Sequence, residues 1–107
     1  MTNVFSWKAI ANCQLTKAQI QIYTKDGITT GTLDFDIKKS TTLGGTFTSV
    51  FTTKPYINYA SDSTYTARDG VFNAGQSLNQ DDYIIVSFSN VPTGVIKKVH
   101  VMIYGIL

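Results

Sequence analysis

Apolar and polar residues alternate with period two through most of the chain. The clearest case is residues 32–38 (TLDFDIK), with Leu33, Phe35 and Ile37 on one side and Thr32, Asp34, Asp36 and Lys38 on the other. A strand sends successive side chains to opposite faces, so this segment segregates fully as a strand and would scatter on a helix. Residues 15–23 follow the same rule, with Ala18, Ile20 and Ile22 against Gln19, Gln21 and Tyr23. Residues 4–10 (VFSWKAI) and 47–52 (FTSVFT) supply two further strands. Residues 83–89 (YIIVSFS) are apolar on both faces in their first half, which predicts a central strand. Residues 97–104 (KKVHVMIY) alternate again, with Val99, Val101 and Ile103 inward and Lys98, His100, Met102 and Tyr104 outward. So apolar a last strand is expected in the interior of its sheet rather than at an edge.

Turn residues punctuate this pattern about every ten positions. They are Lys25-Asp26-Gly27, the loop at 40–46 with its Gly44-Gly45 pivot, Arg68-Asp69-Gly70, residues 79–82 (NQDD) and residues 90–94 (NVPTG). Pro55 breaks the ladder of residues 47–52 and holds Lys54 extended. The polar, aromatic stretch 56–67 holds a short strand and an exposed connection, and residues 71–78 carry little order. The spacing predicts seven or eight strands in one antiparallel β-sandwich that fills residues 1–107. Residues 1–10 serve as its first strand or as an anchor.

Composition agrees. The chain has 34 β-branched residues (15 Thr, 11 Ile, 8 Val), 11 Leu plus Ala, seven Asp and no Glu. That balance opposes a helical bundle or a doubly wound α/β fold. Its 107 residues suffice for one core and leave no room for a second domain. A net charge of +2 with a single arginine, Arg68, gives no basic footprint for nucleic acid. The pairs Lys38-Lys39 and Lys97-Lys98 read as charges that blunt strand ends. No apolar run approaches a membrane helix, and the first residues lack the pattern of a signal peptide. Synthesis in the cytoplasm without membrane insertion is expected.

Candidate chemistry is sparse. One cysteine, Cys13, excludes an internal disulfide and reads as a small core residue. One histidine and one cysteine cannot build a zinc site, and His100 reads as a surface side chain. Asp34 and Asp36 share a strand face at a spacing that a carboxylate pair could use, but their neighbours suggest an ordinary solvated face. Asp62, Asp69, Asp81 and Asp82 read as surface turn residues without an EF-hand spacing. No catalytic residue, metal or cofactor is expected, and the protein is read as not an enzyme. The aromatics are more informative. Tyr56, Tyr59 and Tyr65 stand among Asn and Ser, where exposed rings would stack on a sugar or fill a protein interface.

Four segments together resemble a known module. They are residues 31–40 (GTLDFDIKKS), residues 47–57 (FTSVFTTKPYI), residues 81–89 and residues 95–105. The pattern is similar to the small jelly-roll β-sandwich of bacteriophage virion proteins, found in tail fibres, head fibres and capsid decoration proteins. Its features are a G-x-L-x-x-D-I-x-K strand, an F-rich strand, a K-P-x-I turn and a terminal V-x-V-x-I-x-G strand. The resemblance spans about residues 15 to 105. It departs at residues 79–83 (NQDDY), where the module has an A-G-D-x-L lead-in.

The resemblance implies a virion structural protein, either a capsid decoration or a fibre component. Its partners would be other virion proteins and further copies of itself, typically as a trimer. The alternative is a carbohydrate-binding module for a host-surface glycan, with Tyr56, Tyr59 and Tyr65 as contacts. Val4, Phe5 and Trp7 are the candidate anchor, because three large apolar residues at a terminus either join a sheet or dock on a partner.

Overall fold

The computed structural model describes the backbone over residues 2–92 and 99–107, and the side chains from Lys8 onward within those ranges. Eleven strands and one 3-10 turn lie among the described residues. The strands are β1 (Thr2–Lys8), β2 (Cys13–Ile22), β3 (Thr32–Ser40), β4 (Thr48–Ser49), β5 (Phe51–Thr53), β6 (Tyr56–Asn58), β7 (Ala67–Asp69), β8 (Val71–Phe72), β9 (Ser77–Leu78), β10 (Tyr83–Ser89) and β11 (Val99–Ile106). The 3-10 turn is Ala74–Gln76. The chain is all-β.

One sheet runs β1-β10-β3, and β4 and β6 share the far edge of β3. The other runs β11-β2, and β7 and β9 share the far edge of β2. Every pairing is antiparallel. The inward rows are Ala18, Ile20 and Ile22 of β2, Leu33, Phe35 and Ile37 of β3, and Ile84, Val86 and Phe88 of β10. They close on one another as a single sandwich core, and each large side chain so buried contributes roughly 1.5–3 kcal/mol.

The strand count exceeds the expected seven or eight for a physical reason. Residues 48–58 run beside β3, with Val50 N–H donating to the Ile37 carbonyl and Phe35 N–H donating to the Pro55 carbonyl. Between those bonds the chain leaves β3, and β5 pairs β8 instead. The expected strand at 47–52 thus becomes β4 and β5, and β6 is the short strand expected after Pro55. The detour carries Phe51 inward, where its ring stacks on Phe72 at 5.2 Å. Gly70 permits the crossing: a Cβ there would lie 2.7 Å from Pro55 Cδ and from Phe51 Cε1. Phe47, expected in a strand, precedes β4 and is half-buried.

The expectation of an interior last strand is overturned. Strand β10 is central, between β1 and β3, but β11 pairs only β2 among the described residues and forms the edge of its sheet. The first two residues of the expected last strand, Lys97 and Lys98, lie outside the described residues.

Candidate functional site

Two features stand out on the described surface. The first is an apolar end of the sandwich, where the chain leaves β1 and where β11 finishes. Ala9 is tied to the turn before β10: its N–H donates to the Asp82 carbonyl at 2.8 Å, and its carbonyl accepts from Asp81 N–H at 2.7 Å. Gln80 N–H donates to Asn12 Oδ1 at 2.8 Å. With Ala9 held in the core, Ile10 is driven outward and is 91% exposed. Leu107 is 98% exposed, and Ile106 and Tyr104 are also exposed.

Between these ends lies a groove of about 370 Å³. Its lining includes Ala9, Ile10, Leu15, Leu78 and Leu107, with Lys8 at the rim. Leu15 and Leu78 are core residues, so the groove reaches the edge of the buried core. Cys13 lines it too, packed half-buried against the core as expected of a small core-type residue.

The second feature is the outward face of β11 and the edge of it that pairs with no other strand among the described residues. His100 is exposed and stacks on Tyr23, with ring centroids 5.5 Å apart. Inward-facing Val99, Val101 and Ile103 are only half-buried, whereas Ala18, Ile20 and Ile22 on the neighbouring strand are sealed. The difference marks an open flank.

The three tyrosines do not form one platform. Tyr59 lies in the core, fully buried, and is removed as a glycan or protein contact. Burial pushes its hydroxyl above the ordinary tyrosine range. That hydroxyl has no hydrogen-bond partner among the described residues. A buried polar group left unpaired costs about 1–3 kcal/mol. Tyr59→Phe is therefore expected to raise stability by about 1 kcal/mol in urea unfolding, and a loss of stability would show that the hydroxyl is paired.

Tyr56 is exposed on one side only, since the Arg68 guanidinium sits 4.1 Å from its ring centroid. Tyr65 is 66% exposed and held at φ +69°. Its N–H donates to the Ile22 carbonyl at 3.0 Å, and Gln21 Nε2 donates to the Tyr65 carbonyl at 3.1 Å. The candidate anchor is built into the sheet by its backbone. Strand β1 pairs β10 from Thr2↔Phe88 to Lys8↔Tyr83, with a bulge between Asn3 and Phe5. The side chains of Val4, Phe5 and Trp7 lie outside the described residues.

Three aspartates differ from their sequence reading as solvated side chains. Asp36 is 1% exposed, accepts a hydrogen bond from Ser49 Oγ at 2.6 Å and lies 3.5 Å from Lys54 Nζ. Asp82 is buried and caps its own turn by accepting from Asn79 N–H at 2.8 Å. Asp62 is buried in a fork with Arg68, at 2.8 and 3.0 Å, and also accepts from Asn58 N–H. The Arg68 hydrogen bond, above all, holds the Asp62 carboxyl below the usual aspartate range. Asp36 and Asp62 thus tie together segments distant from them in the chain, and Asp82 closes its own turn. Among the described residues, no group of three or more His, Cys or Asp side chains is placed to hold a metal ion. No helix among them is long and apolar enough to cross a membrane.

No protein-family model matches the chain, and neither does any curated protein or any solved structure.

Proposed function

We propose that this β-sandwich is a structural protein that works by docking on other protein subunits, as a capsid decoration or fibre component of a bacteriophage virion. The observation that carries the docking role is the apolar end. Ile10 and Leu107 stand exposed around a groove floored by Leu15 and Leu78, and Ile106, next to Leu107, is exposed as well. Contiguous exposed apolar surface at one end of a small domain marks a contact site. The assignment to a virion rests on the resemblance of residues 31–40, 47–57, 81–89 and 95–105 to the phage module. The buried aspartates support a non-catalytic reading, because their partners consume them in structure. Localisation in the particle, after synthesis in the host cytoplasm, follows from the same reading.

The test is co-sedimentation. Particles from a host that makes the chain are banded on a density gradient, and the bands are assayed for it. The chain is expected in the particle band at a fixed copy number, and Ile10→Asp should move it to the soluble fractions. Wild-type chain found only in the soluble fractions would contradict the virion role.

A carbohydrate-binding reading draws on Tyr65 alone. Its ring is exposed at a position of positive φ, which costs about 1 kcal/mol or more for a non-glycine residue and tends to persist at functional sites. Binding on a glycan array that disappears in Tyr65→Ala would favour it.

A further inference from the structure

A second concavity lies where the end of β3, the loop that follows it and the turn before β10 meet. It encloses about 300 Å³, at the lower end of the range of about 300–1,000 Å³ for small-molecule sites. Apart from Gly45, each residue that lines it carries a polar side chain: four threonines of the 41–48 segment, Lys39, Ser40, Asn79 and Asp82. Hydrogen bonds within the chain fix these walls. Ser40 is buried, and its Oγ donates to the Thr42 carbonyl at 2.7 Å and accepts from Thr42 N–H at 3.2 Å. Gly45 N–H donates to the same carbonyl at 3.2 Å. A Cβ at Gly45 would lie 2.8 Å from Ser40 Oγ and closer still to Thr42 Oγ1, so glycine lets the loop close on both hydroxyls. Asp82 lines the cavity from the turn, although it is only 5% exposed. Its Oδ2 accepts from Asn79 N–H at 2.8 Å, and its Oδ1 has no hydrogen-bond partner among the described residues.

We propose that this cavity binds a neutral sugar through adjacent hydroxyls of its ring. The charges select the class of ligand. Lys39 and Asp82 line the cavity together, so the site as a whole is neutral. The carboxylate repels an anion, and the ammonium repels a metal ion. Calcium also wants about 6–8 oxygen ligands, usually with several carboxylates, and only one carboxylate is here. No aromatic or large aliphatic side chain lines the cavity among the described residues, so an apolar ligand would leave the polar groups without partners. What remains is a lining that both donates and accepts. Each threonine hydroxyl does both, the Asn79 amide offers donors and an acceptor, Asp82 accepts and Lys39 donates. Neighbouring sugar hydroxyls, each donor and acceptor at once, complement that mixture. Asp82 Oδ1 takes a hydroxyl proton in a charge-assisted bond. Lys39 uses one ammonium proton on the Ser77 carbonyl at 2.5 Å, which leaves two for sugar oxygens. The site is separate from the apolar groove and from Tyr65, and it rests on neither.

Titration of the isotope-labelled full-length chain, followed by NMR, tests this. The probes are glucose, galactose, mannose and N-acetylglucosamine, with glycerol, sodium sulfate and calcium chloride as controls. At least one sugar is expected to shift amides over residues 40–48 and 79–82, and the three controls are expected not to. Each hydrogen bond to the sugar replaces one to water and gains little, so saturation is expected in the millimolar range. Thr42→Val removes one hydroxyl at an exposed position, keeps the fold and should weaken binding several-fold. Asp82→Asn can still accept the Asn79 N–H and should weaken binding by on the order of tenfold. No saturable shift with any of the four sugars, an equal response to a control, shifts confined to Tyr65 and its neighbours, or binding indifferent to both substitutions would overturn the proposal. None of these results touches the docking reading, which the apolar end carries.

Discussion

Replacing Phe35 with alanine is expected to destabilise the domain by about 4 kcal/mol, the largest single effect in the molecule. Phe35 is fully buried at the middle of β3, and its ring meets Phe88 at 5.5 Å and Phe51 at 6.4 Å. It therefore joins the β3-β10 layer to the β5–β8 ribbon. Removing a buried aromatic ring loses its transfer free energy and leaves a cavity, together worth about 3–5 kcal/mol. Small domains have only about 5–15 kcal/mol in total. Urea unfolding should show a lower midpoint with an unchanged slope, and thermal unfolding should move down by roughly 20 °C. A loss below about 1 kcal/mol would mean that this ring is not central to the core.

The second large effect is expected from Arg68→Ala, at about 3 kcal/mol. The change leaves the buried Asp62 carboxylate without its forked partner, and breaking such a pair costs about 3–5 kcal/mol. It also removes the bond from Arg68 Nη1 to the Tyr56 carbonyl and the stack on the Tyr56 ring. Tyr56→Ala, which removes the stack alone, should cost only about 1 kcal/mol. Arg68→Lys keeps the charge but loses the fork, so it should recover less than half of the loss.

A pH signature separates the ion pair from packing. Asp62 has its carboxyl depressed in the folded state below the ordinary value of 3.8. The stability it contributes is complete above that value and is lost as pH falls through the folded value. The wild type should therefore weaken more steeply below about pH 3.8 than Arg68→Ala does. Equal acid slopes in the two proteins would exclude the pair as the cause.

The sequence pattern was most informative where one face of a strand is buried. Strand β3 begins at Thr32 and β10 spans 83–89, as the alternation predicts, and Leu33, Phe35 and Ile37 point inward. Local periodicity settles such positions because a slip of one residue would turn the apolar row to solvent. What it could not show depends on residues distant in the chain. Asp36 is buried because Ser49 and Lys54 return to it, and Asp62 because Arg68 does. Tyr59 sits in a polar stretch, yet its N–H donates to the Gly31 carbonyl and its ring enters the core. The edge position of β11 was hidden for a related reason. Apolar alternation records which face of a strand is buried, but not where the strand stands in its sheet.

Of the candidate site, the exposed Tyr65 and the surface His100 were legible. The apolar end was not, because Ile10, Leu78 and Leu107 are brought together only by the β1–β10, β2–β9 and β2–β11 pairings.

The most direct measurement is hydrogen exchange on the chain free in solution at low concentration and then bound in the particle. Docking through the apolar end predicts new protection over residues 8–11 and 104–107, with little change over residues 56–69. New protection confined to residues 56–69, or none anywhere, would contradict it.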